Sequence, residues 1–206
     1  MAKKVKYLVQ VADHLEKKYG REKTKRITEK MLARYDEIVR ENKEEPKEYY
    51  MHTRERIYPA IALFDALLAE GIQREEAADF CVNYYKWRAS ALAPKIKMIF
   101  KIPGLYKIVP KFFYRMTQKS FGPQMGFASK DKYLSKNEMR FNMVKCPYQD
   151  TCIKYGCPEI VKGFCDADDI CYGNMHPALT WERTKTLGYG YDVCDFKVRI
   201  LDRTNR

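Results

Sequence analysis

The segment Gly163–Gly173 reads GFCDADDICYG and sets a thiol, Cys165, three residues before Asp168 and four before Asp169. On a helix such positions share a face. A sulfur nucleophile and a carboxylate would then project into one site. A carboxylate raises a neighbouring thiol's pKa, so Asp168 would not activate Cys165 by its charge. It could instead orient a histidine, or hold an amino or amidine group. Free cysteine also serves as a small buried hydrophobe, and packing is the competing reading for each thiol here. Cys146 has its own rationale: it follows a strand pattern and precedes Pro147, a favoured first helical residue. A thiol at a helix N-terminus can have a lowered pKa. Cys194 lies in a strand pattern, where packing is the simple reading. Of three histidines, His52 and His176 are the plausible bases, so an imidazole-assisted reaction would use one of them.

Six of the seven cysteines lie between Cys146 and Cys194, with Cys81 apart. Structural zinc sites usually bring two thiolates together in a CxxC turn. No such pair occurs, and the spacing predicts no metal and no cofactor. An odd number of thiols cannot pair completely. The N-terminal apolar stretch is interrupted by His14, Glu16 and Lys17, unlike a signal-peptide core. No segment approaches the roughly 20 apolar residues needed to span a bilayer. The chain therefore reads as cytoplasmic, with reduced thiols.

The elements that must position these residues follow from periodicity. Residues 3–42 repeat apolar positions at helical spacing, divided at Gly20, and predict two helices. Residues 50–70 predict another with Pro59 near its start, and 73–90 a further one. Pro94, Pro103 and Pro110 predict short pieces over 90–115, and 120–135 carries loop punctuation. Glu138–Val144 reads as a strand. Pro147–Tyr155 and Glu159–Tyr172 read as short helices. Leu179–Thr186 and Val193–Ile200 alternate as two strands of an antiparallel hairpin. The fold class is α+β: a helical N-terminal region followed by a small antiparallel sheet with packed helices. The expected division is a helical extension over 1–48 and a domain over 49–206, helical to 135 and sheet-containing and cysteine-rich from 136.

The charge is unevenly spread. The net charge is +12, yet from Lys136 onward 11 Lys/Arg meet 10 Asp/Glu. Between Asp79 and Asp131 there is no acid and there are ten bases. Such a balance suggests an anionic partner: nucleic acid, a membrane surface or an acidic small molecule. No nucleic-acid motif accompanies the basic aromatic segment, so no nucleic-acid partner is expected. Residues 96–114, apolar with four lysines, could touch a membrane surface. The preferred reading is that their aromatic side chains are core and their lysines a solvated face, because the prolines interrupt any long amphipathic helix.

The C-terminal motifs run in a recognisable order: Lys145-Cys146-Pro147, Gly156-Cys157-Pro158-Glu159, Phe164-Cys165 with Asp168, Arg183-Thr184-Lys185-Thr186-Leu187, Gly190, and Cys194-Asp195-Phe196. Together with the helical segment His52, Pro59, Leu63 and Leu67-Leu68, this resembles the L-2-amino-thiazoline-4-carboxylic acid hydrolase family over most of residues 50–200. The resemblance implies a cytosolic hydrolase of bacterial type that opens a cyclic amidine ring to a carbamoyl-cysteine. In that setting Cys165 would attack the amidine carbon and Asp168 would bind the amidinium. Arg183 or Lys185 would hold a substrate carboxylate, with Asp195 as a further substrate contact. His52 or His176 would shuttle protons. A direct attack by water, with Asp168 as base, is the competing mechanism. Cys152, Cys157 and Cys171 are not implied as family positions. The ending also resembles small-molecule-binding domains of the vinyl-reductase type, which leaves a non-catalytic binding or sensory domain as the alternative.

Overall fold

The computed structural model describes residues 6–201; residues 3–5 of the first expected helix lie outside them. The chain divides into two compact units. The first comprises residues up to Tyr84 together with Pro147–Gly163, and the second comprises Tyr85–Cys146 and Phe164 onward.

The first unit is helical. Helices α1 (Lys6–Gln10), α2 (Ala12–Tyr19) and α3 (Arg21–Glu41) follow in order, with Gly20 at φ 78° between the last two. That backbone region is open to glycine at little cost. Helix α3 buries Ile27, Met31, Tyr35 and Ile38, a stripe at helical spacing. It lies on α4 (Tyr58–Ala69), which buries Ile61, Leu63, Phe64 and Leu67 and is apolar around almost its whole circumference. A helix apolar on all sides must be enclosed. Arg34 pairs with Asp65 at 2.8 Å, and Arg26 and Lys30 both reach Glu70. A π-helical turn, Thr53–Ile57, leads into α4. Helix α5 (Arg74–Ile99) gives its first half to this unit, and α7 (Pro147–Lys154) completes it.

The second unit holds the sheet. Strands β1 (Ala128–Leu134), β2 (Glu138–Lys145), β3 (Leu179–Glu182) and β4 (Cys194–Ile200) form an antiparallel sheet in the order β1-β2-β4-β3. Alternation sends Met139, Phe141, Met143, Cys194 and Val198 to the buried face. Phe141 stacks on Phe196 at 5.0 Å, and Trp181 meets Phe196 at 5.6 Å. Helix α6 (Val109–Ser120) covers that face through Val109, Phe113 and Thr117, and Phe113 touches both Trp181 and Tyr172. Helix α8 (Val161–Tyr172) supplies Tyr172.

The α+β fold class is as the sequence predicts, and four local expectations are corrected. The first of the two helices expected over 3–42 is divided at Val11 into α1 and α2. Helix α5 does not end at Ser90 before a set of short pieces but runs through Pro94 to Ile99. Pro94 and Ser90 are both exposed, so the Ser90 carbonyl that loses its donor can be hydrated. Residues 128–134 are a strand rather than a loop, an edge strand whose ASKDKYL sequence has no apolar alternation to announce it. Strand β3 stops at Glu182, and beyond it the Asp195 side chain captures the backbone amides of Thr184 and Lys185.

Candidate active site

Helix α8 and the segment leaving β3 build one polar cluster inside the second unit. The i, i+3, i+4 spacing does place Cys165, Asp168 and Asp169 along one side of α8, and Arg183 enters from the end of β3. The Arg183 side chain is only 2% exposed. Its Nη2 donates to the Cys165 carbonyl at 2.6 Å and to Asp169 at 2.5 Å, and its Nη1 meets Asp168 at 3.4 Å. The guanidinium carbon lies 5.2 Å from the Phe196 ring centre, a cation–π distance. Its Nε is buried without a hydrogen-bond partner among the described residues. Trp181 Nε1 donates to the other Asp169 oxygen at 2.8 Å. The neighbouring Asp166 accepts from the Tyr189 hydroxyl at 2.8 Å and pairs with Lys86 at 3.3 Å. Burial, then the Asp166 hydrogen bond, pushes the Tyr189 phenol up to about 12.

Burial pushes the Cys165 thiol up to about 11, and nearby Cys194 and Asp168 add to that; the Thr186 hydroxyl and Arg183 oppose it. The resting thiol is therefore neutral near pH 7. Cys194 is also raised, first by burial, while its sulfur accepts the Leu187 amide at 3.2 Å. Cys171 is pushed up to about 11 by burial and by Asp168, and its thiol points to the Ala89 carbonyl at 3.7 Å. Cys146 is half-buried and immediately precedes α7.

Asp195 is a brace. One carboxylate oxygen accepts the amides of Thr184 at 2.9 Å and Lys185 at 2.6 Å; the other accepts the Thr184 hydroxyl at 2.6 Å. Burial acts to raise this carboxyl, but those hydrogen bonds outweigh it and hold it below its ordinary value. The Lys185 residue itself is exposed. On the opposite, polar face of the sheet is a depression of about 320 Å³, lined by Arg140, Asn142, Thr184, Asp195 and Lys197 among others, with Arg183 common to it and the cluster. Cys165 does not line it.

The histidines are placed elsewhere. His176 Nδ1 accepts the Ala178 amide at 3.0 Å, and its ring stacks on Tyr106 at 4.6 Å between centres. That amide occupies the Nδ1 lone pair and leaves Nε2 as the ring nitrogen open to a further partner. His52 belongs to the first unit. It is 1% exposed, and its Nδ1 shares a 3.0 Å hydrogen bond with the Tyr148 hydroxyl, which also accepts from Arg56 at 3.2 Å. It immediately precedes the π-helical turn, a rare geometry found often at functional positions.

The structure thus unites Cys165, Asp168, Arg183 and Cys194, with Asp195 holding the segment that carries Arg183. Sequence reasoning gave no role to Asp169, the closest carboxylate of Arg183, or to Thr186 and Tyr148. The run of acids on α8 followed by one arginine in an otherwise alternating strand was the available signal for Asp169. Among the described residues no group of three His, Cys, Asp or Glu side chains is placed to hold a metal ion, and no helix is long and apolar enough to cross a membrane.

A comparison with curated proteins finds no match. The family model for L-2-amino-thiazoline-4-carboxylic acid hydrolase matches residues 50–198, a span that contains the Cys165 cluster, His52 and the whole sheet except its last residues. The chain therefore belongs to the L-2-amino-thiazoline-4-carboxylic acid hydrolase family.

Proposed function

We propose that this protein hydrolyses a small cyclic amidine carrying a carboxylate, of the 2-amino-thiazoline-4-carboxylate type, through Cys165. The observation that carries the reading is the grouping of the Cys165 thiol with Thr186, Arg183 and Asp168 inside the span matched to a family named for a hydrolase. The neutral thiol shapes the mechanism. Its sulfur bonds to the amidine carbon, the ring carbon–sulfur bond breaks, and the thiol proton ends on the departing ring sulfur. The product of this step is a thiouronium on Cys165. Water then adds to the same carbon and expels the Cys165 sulfur; one water proton returns to that sulfur and the other passes to solvent, giving the neutral carbamoyl group of a carbamoyl-cysteine. No resting thiolate and no histidine is required.

In this reading Arg183 is a positioning residue. Its two terminal nitrogens are taken by Asp168, Asp169 and the Cys165 carbonyl, so it fixes the middle of the helix that presents the thiol. Asp168 keeps an exposed side chain and takes the amidinium by charge-assisted hydrogen bonds when substrate enters. Lys185, exposed on the same segment, takes the substrate carboxylate. A direct attack by water is disfavoured because the Asp168 carboxylate that would serve as its base is already engaged with the Arg183 guanidinium.

The test is turnover of L-2-amino-thiazoline-4-carboxylate by the full chain and by Cys165→Ser, with intact-protein mass spectrometry of the reaction mixture. A covalent adduct in the parent and its loss in the variant support the nucleophile. Near-normal turnover by a folded Cys165→Ser variant ends that role. The second reading is a small-molecule-binding domain without catalysis, favoured by the neutral thiol and by carboxylates already engaged with Arg183. Saturable binding of cyclic amidines without turnover would establish it.

A further inference from the structure

The most unusual surface of the second unit lies away from this cluster. Beyond Ala89, the last buried residue of α5, the helix continues for ten residues that are exposed or half-buried, and a connector leads to α6. Within this stretch Met98, Ile99, Ile102, Ile108 and Phe112 are each more than half exposed, and Leu92 is nearly so. Water-exposed aliphatic side chains in such a run are costly for a soluble surface. Lys95, Lys97, Lys101, Lys107 and Lys111 alternate with them, and the nearest acids in sequence are Asp79 and Asp131. The prolines do not abolish this surface: α5 passes through Pro94, Pro110 sits in the first turn of α6, and Pro103 lies in the connector. Of the aromatic side chains in this stretch Phe113 is buried and Phe100, Tyr106 and Tyr114 are half-buried, so the outward-facing apolar surface is mainly aliphatic, with Phe112 added.

We propose that residues 92–112 dock this protein on the surface of an anionic lipid bilayer, with Met98, Ile99, Ile102, Ile108 and Phe112 entering the headgroup–acyl boundary and the lysines meeting lipid phosphates. Charge complementarity selects the partner. A second copy of this chain would set the same lysines against one another with no carboxylate from the segment to balance them. A nucleic acid would satisfy the lysines but offers aliphatic isoleucine and methionine nothing to bury in, since base stacking uses aromatic faces. A bilayer with anionic headgroups satisfies both, in the manner of interfacial amphipathic segments. Docking there needs no membrane-crossing helix, and none is present among the described residues.

The experiment is vesicle co-sedimentation of the full chain. Vesicles of phosphatidylcholine alone are compared with vesicles of phosphatidylcholine and phosphatidylglycerol, at low and high salt. The expected result is pelleting with the anionic vesicles only, relieved by salt. Two double variants separate the contributions: Ile99→Ser with Ile102→Ser, and Lys97→Gln with Lys101→Gln. Removing two lysines should weaken partitioning more than about tenfold, given roughly fivefold for each basic side chain near such a surface. The serine pair should weaken it at least as much. All four positions are exposed, and unchanged thermal melts confirm that the variants fold. No pelleting at low salt, or pelleting untouched by both double variants, overturns the proposal. So does random-sequence RNA binding that ignores the serine pair, or concentration-dependent self-association abolished by it.

Discussion

The cysteines of the two units form a natural comparison. In the helical unit Cys81, Cys152 and Cys157 are all buried, with Cys152 and Cys157 fully so. Burial, and then Cys157, raises the Cys81 thiol well above its usual value. These thiols act as small apolar groups. In the sheet unit burial raises the Cys165 thiol as it does Cys81, yet Cys165 shares its surroundings with a buried guanidinium, a hydroxyl and a second thiol. The difference is one of company and not of residue type. Protonation state alone does not distinguish a packing cysteine from a candidate nucleophile; the polar groups held around it do.

The comparison is broken most directly by substitution. Cys165→Ser should lower turnover about 10³-fold or more, as removal of a nucleophile does, while leaving the melting temperature nearly unchanged. Cys157→Ala should do the reverse: turnover is retained, and stability falls by about 1 kcal/mol for the small cavity left behind. Steady-state kinetics and thermal melts on both variants decide. Equal kinetic losses would mean that the two units do not differ in this way.

The ion cluster offers a second test, of intermediate size. Asp168→Asn combined with Asp169→Asn leaves the buried Arg183 guanidinium without a partner charge. The expected loss is about 3–5 kcal/mol. Arg183→Met should cost less, about 1–2 kcal/mol, because the two carboxylates it releases are 42% and 47% exposed and regain water. Urea unfolding of the variants reads the order, and a larger loss for Arg183→Met would refute the asymmetry.

The smallest effect is alkaline. Cys165 and Cys171 rise from 9.0 to about 11 on folding, so the folded chain keeps protons that the unfolded chain has lost. Stability from this source is complete below pH 9.0 and is lost as pH rises towards about 11. Cys81 contributes in the same direction. Melting temperature should therefore decline across that window, less steeply in Cys171→Ser and in Cys81→Ser. Turnover should instead climb over the same window as the Cys165 thiolate forms, and should do so unchanged in Cys81→Ser. A Cys81→Ser enzyme that loses the climb would assign the titration to the wrong unit.

Much of the sheet was legible because its core strands alternate: Glu138–Val144 and Val193–Ile200 match β2 and β4 within a residue. The proximity of Cys165 and Asp168 was legible too, since helical spacing alone sets it. Strand β1 was not, because an edge strand need not bury either face, and charge on it guards against unwanted pairing. The role of Arg183 was hidden for a different reason. A charged side chain is by default expected on the surface. Its burial follows from where β3 ends relative to α8, a tertiary relation with no local signature. The outward turn of Met98, Ile99 and Ile102 was equally hidden, because periodicity reports which side chains share a face and not whether anything covers it.

The chain crosses between its units within α5, before α7 and again within α8. Synthesis from the N-terminus therefore releases most of the helical unit first but withholds its last piece, Pro147–Gly163, until 62 residues of the other unit have been made. An emerging chain must hold α3 and α4 together while Cys157 and Ile160, both buried, are still missing. Neither unit can be produced by a single terminal truncation. Completion of the helical core is a late, long-range event, which places its closure among the slower steps available to a protein of this size.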